Sequence, residues 1–456
     1  MNTVHSFKKD AARVSGDIDH RRIIHYNMSK YDMAVSAGKE RYQNLGLAKD
    51  IASDIKDTAI KHLPYYLELF EQNAINNGAE VLWAEDSNDL IKQLSSVLQA
   101  EQCKMLVKSK SMVTEEIELN KELDKIGIES VETDLGEFIV QVAGEKPYHI
   151  VTPAMHKSKQ DIADLFNAHF QTDKSLTAQE LTGFVRNLLR KKFINADVGV
   201  TGANFLCADE GAVAVTENEG NALLSSSFPK LHIVIAGIEK VIPGIEQLPL
   251  FWPLLAAHGT GQQLTVYSNV FFGPKKEQEL DGPERMIIFL LDNKRSEIYQ
   301  NENVKKSLKC IRCGACLNAC PVYKNIGGYT YGTTYSGPIG SVLSPYFKGF
   351  RDYNHLSFAS SLCGMCEEVC PVKIPLTDML LYNRQLAQLN QSIIDKGTNA
   401  FLFRILSSRQ LMNSFGGKLK STFFKIVKNR FIGRKKDLSP FSEKTFNEQW
   451  KKHIKR

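Results

Sequence analysis

The sequence predicts an α/β domain, followed by a mainly α-helical, cysteine-rich segment and a helical, basic tail. Three observations lead to this fold class. Short β-rich runs alternate with helical runs between residues 79 and 293, a pattern typical of a mostly parallel sheet. Seven of the nine cysteines fall between residues 310 and 370, and basic residues accumulate after Phe401. At 456 residues, the chain is also long enough for about three domains.

The composition is that of an ordinary globular protein. Hydrophobic residues make up 43% and charged residues 24% of the chain, which excludes global disorder. The longest apolar stretches, such as LHIVIAGI from Leu231, are shorter than the roughly 18 residues that a membrane-spanning helix needs. The first residues show no apolar core with a small-residue cleavage site. We therefore expect a cytoplasmic protein.

The first two predicted segments are an N-terminal helical segment over residues 1–65 and an α/β domain over residues 66–300. Helical spacing of apolar residues continues through the first boundary until Gly78 stops it. The first half of the domain then alternates strand and helix: AEVLWA (79–84), a helix over 86–100, CKMLVKS (103–109), a helix over 112–126 and IESVETD (128–134).

The second half of the domain contains more turns. The run at 197–220 has strands separated only by Gly, Asp and Asn, which predicts β-hairpins. Three further strands are predicted: LHIVIAGI (231–238), QLTVYS (263–268) and MIIFLLD (286–292). A charged linker, residues 292–307, then leads to the cysteine-rich segment.

The third segment, residues 301–395, contains the cysteine cluster, a loop rich in Gly, Tyr and Thr (327–345) and a last helix that starts near Pro375. The glycines Gly327, Gly328 and Gly332 do not form a dinucleotide-binding G-x-G-x-x-G motif. We expect this loop to cover the cysteine cluster.

The fourth segment, residues 396–456, is the basic tail. From Phe401 onward there are 15 basic residues and three acidic ones, Asp437, Glu443 and Glu448, which gives a net charge of +12. The first 400 residues therefore carry a net charge of −6. Such asymmetry predicts contact with an acidic surface, either a partner subunit or a membrane face. Nucleic acid is not expected as the partner, and a solvated basic helix is the simpler alternative.

The first cysteine motif is the run Cys310-x2-Cys313-x2-Cys316-x3-Cys320-Pro. This is the bacterial ferredoxin spacing, in which three thiolates bind one iron–sulfur cluster and the fourth binds a second cluster. Two-residue loops let successive thiolates approach one cluster, and the small Gly314 and Ala315 leave room for it.

The second motif repeats this run without its first cysteine: Cys363-x2-Cys366-x3-Cys370-Pro, with Ser360 where that cysteine would stand. The two-cluster rule assigns Cys310, Cys313, Cys316 and Cys370 to one [4Fe-4S] cluster. Cys320, Cys363 and Cys366 then hold the other cluster. With three thiolates, it is either a [3Fe-4S] cluster or a [4Fe-4S] cluster with Ser360 or another group as fourth ligand.

Two other uses of the cysteines fit the spacing less well. Structural zinc needs four ligands at each tetrahedral site, which seven cysteines with two Cys-Pro endings do not supply. Disulfides require an oxidising compartment, for which the sequence carries no export signal. Cys103 and Cys207 stand alone among apolar residues, and we interpret both as core residues.

These motifs resemble the lactate utilization protein B family, the iron–sulfur subunits of a bacterial L-lactate oxidation system. The resemblance covers nearly the whole chain. It is carried by VETDLGEFIVQ (131–141), the run 199–226, CIRCGACLNACPVY (310–323), YGTTYSGPIGSVLSP (331–345), SLCGMCEEVCPVKIPL (361–376) and FNEQW (446–450) in the basic tail. Members of this family commonly have Ser at the position of Ser360.

The resemblance implies a fold, a function and partners. The α/β segment looks like the family's lactate-utilization domain, which is similar to the sugar-phosphate isomerase and coenzyme A transferase fold. The chain would be an electron-transfer subunit in a complex that oxidises L-lactate to pyruvate. Its partners would be a cysteine-rich subunit of the glycolate oxidase iron–sulfur type and a second protein with a lactate-utilization domain. The tail could also make peripheral contact with the inner face of the membrane.

The α/β domain carries residues suited to a small anionic ligand, because such sheets often bind ligands beyond the carboxyl ends of their strands. A structural role fits these residues equally well, and no catalytic residue is assigned. The binding candidates are Lys108, Ser109, Lys110, Thr201, Gly202, Asn204 and Glu210, and the candidate acids or bases are Asp134, Glu137, Asp209 and Glu210. Two other functions stay open: an enzyme whose clusters are structural, and a redox-sensing scaffold.

Overall fold

Six parallel strands form the central sheet of the α/β domain. The computed structural model describes residues 3–389, 393–414, 416–422, 425, 439 and 441–454. The strands in these residues are β1 (Glu80–Ala84), β2 (Met105–Lys108), β3 (Glu129–Glu132), β4 (Val198–Thr201), β5 (Phe205–Cys207), β6 (Ala212–Glu217), β7 (Leu231–Gly237), β8 (Val241–Ile242), β9 (Tyr267–Phe271) and β10 (Arg285–Leu291). The large sheet has the order β1-β10-β7-β4-β2-β3, which confirms the predicted α/β class.

The central strands are mostly apolar because both faces of the sheet are covered. All seven residues of β7 and six of the seven in β10 are buried. The helices before and within the domain are α1 (Thr3–Gly16), α2 (Ile18–Glu40), α3 (Leu45–Lys61), α4 (Leu63–Asn76), α5 (Ser87–Ala100), α6 (Met112–Glu116), α7 (Leu119–Lys125), α8 (Leu135–Val142), α9 (Lys159–Phe170), α10 (Ala178–Asn195), α11 (Asn221–Ser227), α12 (Leu248–Gly259) and α13 (Arg295–Gln300). Leucines of α5 and α7 pack in one core beside the sheet, and α8, α9 and α10 contribute to another.

Local sequence signals explain several helix starts. The Asp86 carboxylate accepts N–H bonds at the start of α5, and Thr177 forms a reciprocal capping box with Glu180 at the start of α10. The helical spacing that ends at Gly78 belongs to two helices, α3 and α4, which are divided at His62 because Pro64 follows in the first turn of α4 and lacks the N–H that a continuous helix requires.

A second, four-stranded sheet has the order β8-β5-β6-β9. The predicted hairpin is present as the antiparallel pair β5–β6, but β4 pairs in parallel with β2 and β7 in the large sheet. The strand predicted over 263–268 is displaced, since pairing with β6 begins only at Tyr267.

Two other local predictions are wrong. The helix predicted over 112–126 is two helices, α6 and α7, separated where Glu118 adopts a left-handed conformation with φ of 53°. The segment interpreted as a charged linker, residues 292–307, instead contains α13 and the start of the 3-10 turn Lys305–Lys309, and Arg295 of α13 is fully buried between the carboxylates of Glu116 and Glu239.

The cysteine-rich segment is made of short helices. They are α14 (Ala315–Ala319), α15 (Pro321–Ile326), α16 (Gly337–Lys348), α17 (Phe350–Tyr353), α18 (Met365–Glu368) and α19 (Leu376–Leu389), with 3-10 turns at Lys305–Lys309, Tyr329–Tyr331 and Asn354–Phe358. Its buried residues belong to the same hydrophobic cluster as β5, β6 and α12. Residues 1–387 form one compact unit, and the predicted boundaries at 65/66 and 300/301 lie inside it.

Residues 388–456 form a second unit. Its described helices include α20 (Ile393–Ser407), α21 (Arg409–Ser414) and the helix Phe446–Ile454. The rest of the predicted helical tail, including residues 426–438, lies outside the described residues. Among the helices that are described, none combines the length and apolarity needed to cross a membrane.

Candidate metal centre

Four cysteines line one small cavity in the cysteine-rich segment. Cys310 follows the 3-10 turn Lys305–Lys309, Cys316 lies in α14, and Cys370 follows α18. Together with Cys313, they face a cavity whose other lining is largely apolar, including Ile150, Ile311, Ile339, Val372 and Ile374. The structure therefore brings together the four cysteines of the first predicted set.

The thiols of this first set are close enough to influence one another electrostatically. Burial raises the pKa of Cys313, and the neighbouring Cys370 and Cys310 raise it further. Burial likewise raises the pKa of Cys316, with added contributions from Cys310, Cys313 and Cys370. Four thiolates this close are unfavourable without a cation, so the donor set is suited to iron.

The second set, Cys320, Cys363 and Cys366, is also brought together. Burial raises the pKa of Cys320, to which the nearby Cys363 contributes. Burial raises the pKa of Cys366 to about 12, and Cys320 and Cys363 again act in the same direction. Cys363 itself is exposed, whereas Cys320 and Cys366 are buried.

The two runs share one backbone geometry. The residue before and the residue after Cys313, Arg312 and Gly314, have φ of 60° and 78°. Leu362 and Gly364 flank Cys363 with φ of 55° and 83°. These left-handed residues turn each chain back so that the cysteine is presented between them. The repeated pattern supports the alignment of Cys363 with Cys313.

That alignment places Ser360 opposite Cys310, but the Ser360 hydroxyl already has a local partner. It accepts the backbone N–H of Leu362 at 3.1 Å, and the Ser360 carbonyl accepts a bond from Arg384 at 2.8 Å. The neighbouring Ser361 hydroxyl helps to lower the pKa of the Cys363 thiol. Ser360 thus stays a predicted ligand, with Ser361 as a rival that the sequence pattern did not indicate.

Arg312 connects the first cysteine set to the α/β domain. Its Nη2 lies 3.3 Å from Oε1 of Glu239, and its guanidinium stacks 4.4 Å from the ring centroid of Tyr335. Its Nη1 is buried without a hydrogen-bond partner among the described residues. Arg312 therefore places a cation between Cys310 and Cys313 in the chain. Residues of the α/β domain hold that cation in position.

The glycine-rich loop packs mainly on one tyrosine. A Cβ at Gly327 would lie 1.7 Å from the Tyr148 hydroxyl, and one at Gly328 would lie 1.9 Å from the Tyr148 carbonyl oxygen. Both positions therefore require glycine. Further along the loop, Ile339 lines the same cavity as the first cysteine set, so that part of the loop does reach the cysteines, as expected.

A larger cavity of about 310 Å³ lies beside the first cysteine set, at the carboxyl ends of β2, β3, β4 and β7. It contains four of the predicted binding residues and one predicted acid or base: Ser109, Lys110, Gly202, Asn204 and Asp134. It is also lined by Lys240, Arg312 and Cys313, none of which was predicted to bind a small ligand. The position of Lys240 just after β7 was the available signal, since ligands bind at carboxyl ends of strands.

Lys108, another predicted binding residue, has a structural role in a buried cluster of carboxylates. It is fully buried, with its Nζ 2.8 Å from Glu132 Oε1 and 3.9 Å from Glu137 Oε2. Burial raises the pKa of Glu137 far above the usual range, with Glu132 contributing. Lys108 already supplies a cation to these carboxylates, so we assign no further ion there.

The other candidates lie apart from this cavity. The Thr201 hydroxyl bonds to His232 at 2.8 Å in the sheet, and the Asp209 carboxylate accepts the N–H of Ile245 at 3.0 Å. Glu210 is exposed. Of the candidate acids or bases, Asp134 alone lines the cavity. Cys103 and Cys207 are buried in the core as predicted.

Comparison with known proteins gives two domain matches. The LUD domain matches residues 67–291, and a 4Fe-4S dicluster domain matches residues 306–374. The second match supports the predicted iron–sulfur clusters, and it spans all seven cysteines of the two sets.

Curated relatives match most of the chain. Lactate utilization protein B of Bacillus cytotoxicus is 46% identical over 338 residues, covering 74% of this chain and 71% of that protein. Lactate utilization protein B 2 of Bacillus mycoides is 45% identical with the same coverage. A DUF162 family protein from Deinococcus radiodurans, known from its crystal structure, aligns with 50% of this chain and 98% of its own at 11% identity and a TM-score of 0.29, which is too low to carry an argument.

Proposed function

Because this chain belongs to the lactate utilization protein B family, we propose that it is the iron–sulfur electron-transfer subunit of a complex that oxidises L-lactate to pyruvate. The observation that carries the proposal is the pair of cysteine sets, brought together from two runs more than 40 residues apart. Two neighbouring clusters in one subunit are suited to electron transfer rather than to structure alone.

The proposed ligands of the first cluster, a [4Fe-4S] cluster, are Cys310, Cys313, Cys316 and Cys370. Cys320, Cys363 and Cys366 are the proposed ligands of the second, a [4Fe-4S] or [3Fe-4S] cluster. When bound, such clusters accept and release single electrons. The chain's own contribution is a largely apolar wall around the first set and backbone N–H groups directed at sulfur, such as Ile374 N at 3.4 Å from Cys370 Sγ. Hydrogen bonds to sulfur tune the reduction potential.

The partners in this proposal are a cysteine-rich subunit of the glycolate oxidase iron–sulfur type and a second protein with a lactate-utilization domain. The basic tail supports an association role, because it also exposes large apolar side chains: Phe401, Phe403, Phe446, Trp450 and Ile454. We place the complex in the cytoplasm, with peripheral contact at the inner face of the membrane through the tail. For the α/β domain, the parallel sheet supports the proposed likeness to sugar-phosphate isomerases and coenzyme A transferases.

An assay on the assembled complex tests the proposal. The tagged chain is purified anaerobically with its partners, and L-lactate-dependent reduction of an artificial acceptor is measured. We expect Cys316→Ala to abolish this electron flow. Cys103→Ala removes a buried cysteine outside both sets and should leave it unchanged. A Cys316→Ala complex that assembles and passes electrons like the wild type would overturn the proposal.

A further inference from the structure

The 310 Å³ cavity lies where the α/β sheet and the first cysteine set meet. The loops after β2 and β4 both contribute to it, and these neighbouring strands mark the point where the chain reverses its direction through the sheet. Ligands of α/β proteins bind at such switch points. The volume is at the lower end of the roughly 300–1,000 Å³ found for ligand pockets, which suits a small metabolite.

Lys240 is the residue in this cavity that calls for a ligand. It is 7% exposed and lines the cavity at the end of the 3-10 turn Ile238–Lys240. Within the described residues its ammonium group makes no hydrogen bond and no ion pair, although the Glu239 carboxylate and Cys310 favour its charged form electrostatically. A buried ammonium group is costly unless it is paired, and an anion in the cavity would supply the missing partner.

The carboxylates of the cavity already have other partners. Glu217 accepts the backbone N–H groups of Ala222 and Leu223 at the start of α11. Glu219 accepts the N–H of Leu135.

Asp134 caps α8 at the N–H of Glu137 and pairs with Lys110 at 3.5 Å. Helix N-termini stabilise carboxylates placed beside them. Backbone N–H groups and Lys110 thus stabilise the carboxylates of the cavity. The ammonium group of Lys240 stays available for a ligand.

We propose that this cavity binds the carboxylate of a small 2-hydroxy or 2-oxo acid, with Lys240 as its cationic partner. The choice of acid rests on the proposed function, whereas the anion site rests on the cavity and Lys240. Ser109, Ser111 and Asn204 line the same space and provide polar groups for a hydroxyl or carbonyl oxygen. Cys313 also lines it, which would place the ligand beside the first cysteine set.

Calorimetric titration of the anaerobically purified, iron-containing full chain tests this inference. L-Lactate, pyruvate and inorganic phosphate are titrated separately, without partner subunits. We expect saturable binding of L-lactate or pyruvate at one site. Lys240→Met should weaken it by roughly tenfold to 100-fold, the range for a lost hydrogen bond to a charged group.

Two further variants separate ligand binding from cluster electrostatics and from misfolding. Lys39 is a matched control, because it interacts electrostatically with Cys313 but does not line the cavity. Lys39→Met should leave the affinity within about twofold of wild type. Ala203→Leu narrows the cavity without removing a charge and should abolish binding, which keeps the test decisive if Lys240→Met does not fold.

Three results would overturn the inference: no saturable binding of either acid at millimolar concentration, equal weakening by Lys39→Met and Lys240→Met, or tighter binding of inorganic phosphate than of both acids. Failure of the electron-transfer proposal is seen separately, in the lactate-driven assay of the complex. A complex that passes electrons while the chain binds neither acid would overturn this inference alone.

Discussion

Nη2 of Arg312 lies 3.3 Å from the Glu239 carboxylate, which joins the first cysteine run to the loop after β7. Glu239 is fully buried and also pairs with Arg295. Burial by itself would raise the pKa of Glu239, but Arg295 and Arg312 lower it to about 2. The carboxylate is therefore charged at neutral pH and fixes the Arg312 cation beside the cysteines.

Arg312→Met should lower the reduction potential of the first cluster. A nearby cation stabilises the reduced, more negative form, and the Arg312 guanidinium interacts with Cys310. A loss of 1.4 kcal/mol would correspond to a shift of about −59 mV for one electron. Redox titration followed by electron paramagnetic resonance measures it. The second cluster should keep its potential, and equal shifts in both would contradict this assignment.

Arg295→Met should destabilise the protein strongly. The change leaves the buried carboxylates of Glu116 and Glu239 without this partner, and breaking a buried pair typically costs about 3–5 kcal/mol. Arg285→Met is the matched control, since Arg285 pairs with Glu80 at the surface and such pairs contribute about 1 kcal/mol or less. Urea unfolding followed by circular dichroism compares the two. Similar losses in both variants would show that the buried network is not stabilising.

Ser360→Cys should make the second cluster more stable towards iron loss. With three cysteines and the exposed Cys363, this cluster should lose one iron in air and give an oxidised three-iron signal by electron paramagnetic resonance. A fourth thiolate should suppress that signal and raise the iron content from about seven to about eight per chain. Ser361→Cys is the comparison, because the Ser361 hydroxyl helps to lower the pKa of Cys363. If only Ser361→Cys retains the iron, the alignment of Ser360 with Cys310 is wrong.

Deletion of residues 401–456 should weaken association with partners or membranes and leave both clusters in place. The segment carries a net charge of +12, and association through it should decrease as salt screens that charge. Co-purification and vesicle sedimentation at two salt concentrations measure the effect. Unchanged association after deletion would mean that the charge serves solvation only.

The sequence was sufficient for features with strong local signals. Strand–helix alternation predicted the parallel sheet, and cysteine spacing predicted two thiol sets that the structure brings together. It failed where tertiary contacts decide the outcome. Arg295 was interpreted as part of a charged linker, because nothing in its sequence neighbourhood reveals partners from α6 and the loop after β7. For Lys240 the sequence offered one signal, its position after β7, but the cavity that it shares with Cys313 is visible only in the folded chain.

The most direct measurement of the central claim is Mössbauer spectroscopy of the complex with ⁵⁷Fe incorporated into this chain alone. Only the labelled iron is then visible, so the spectrum reports the clusters of this subunit. Our account predicts that L-lactate reduces part of the labelled iron in the complete complex and none of it in the isolated chain. Labelled iron that stays oxidised while pyruvate forms would contradict the claim that electrons from lactate pass through this subunit.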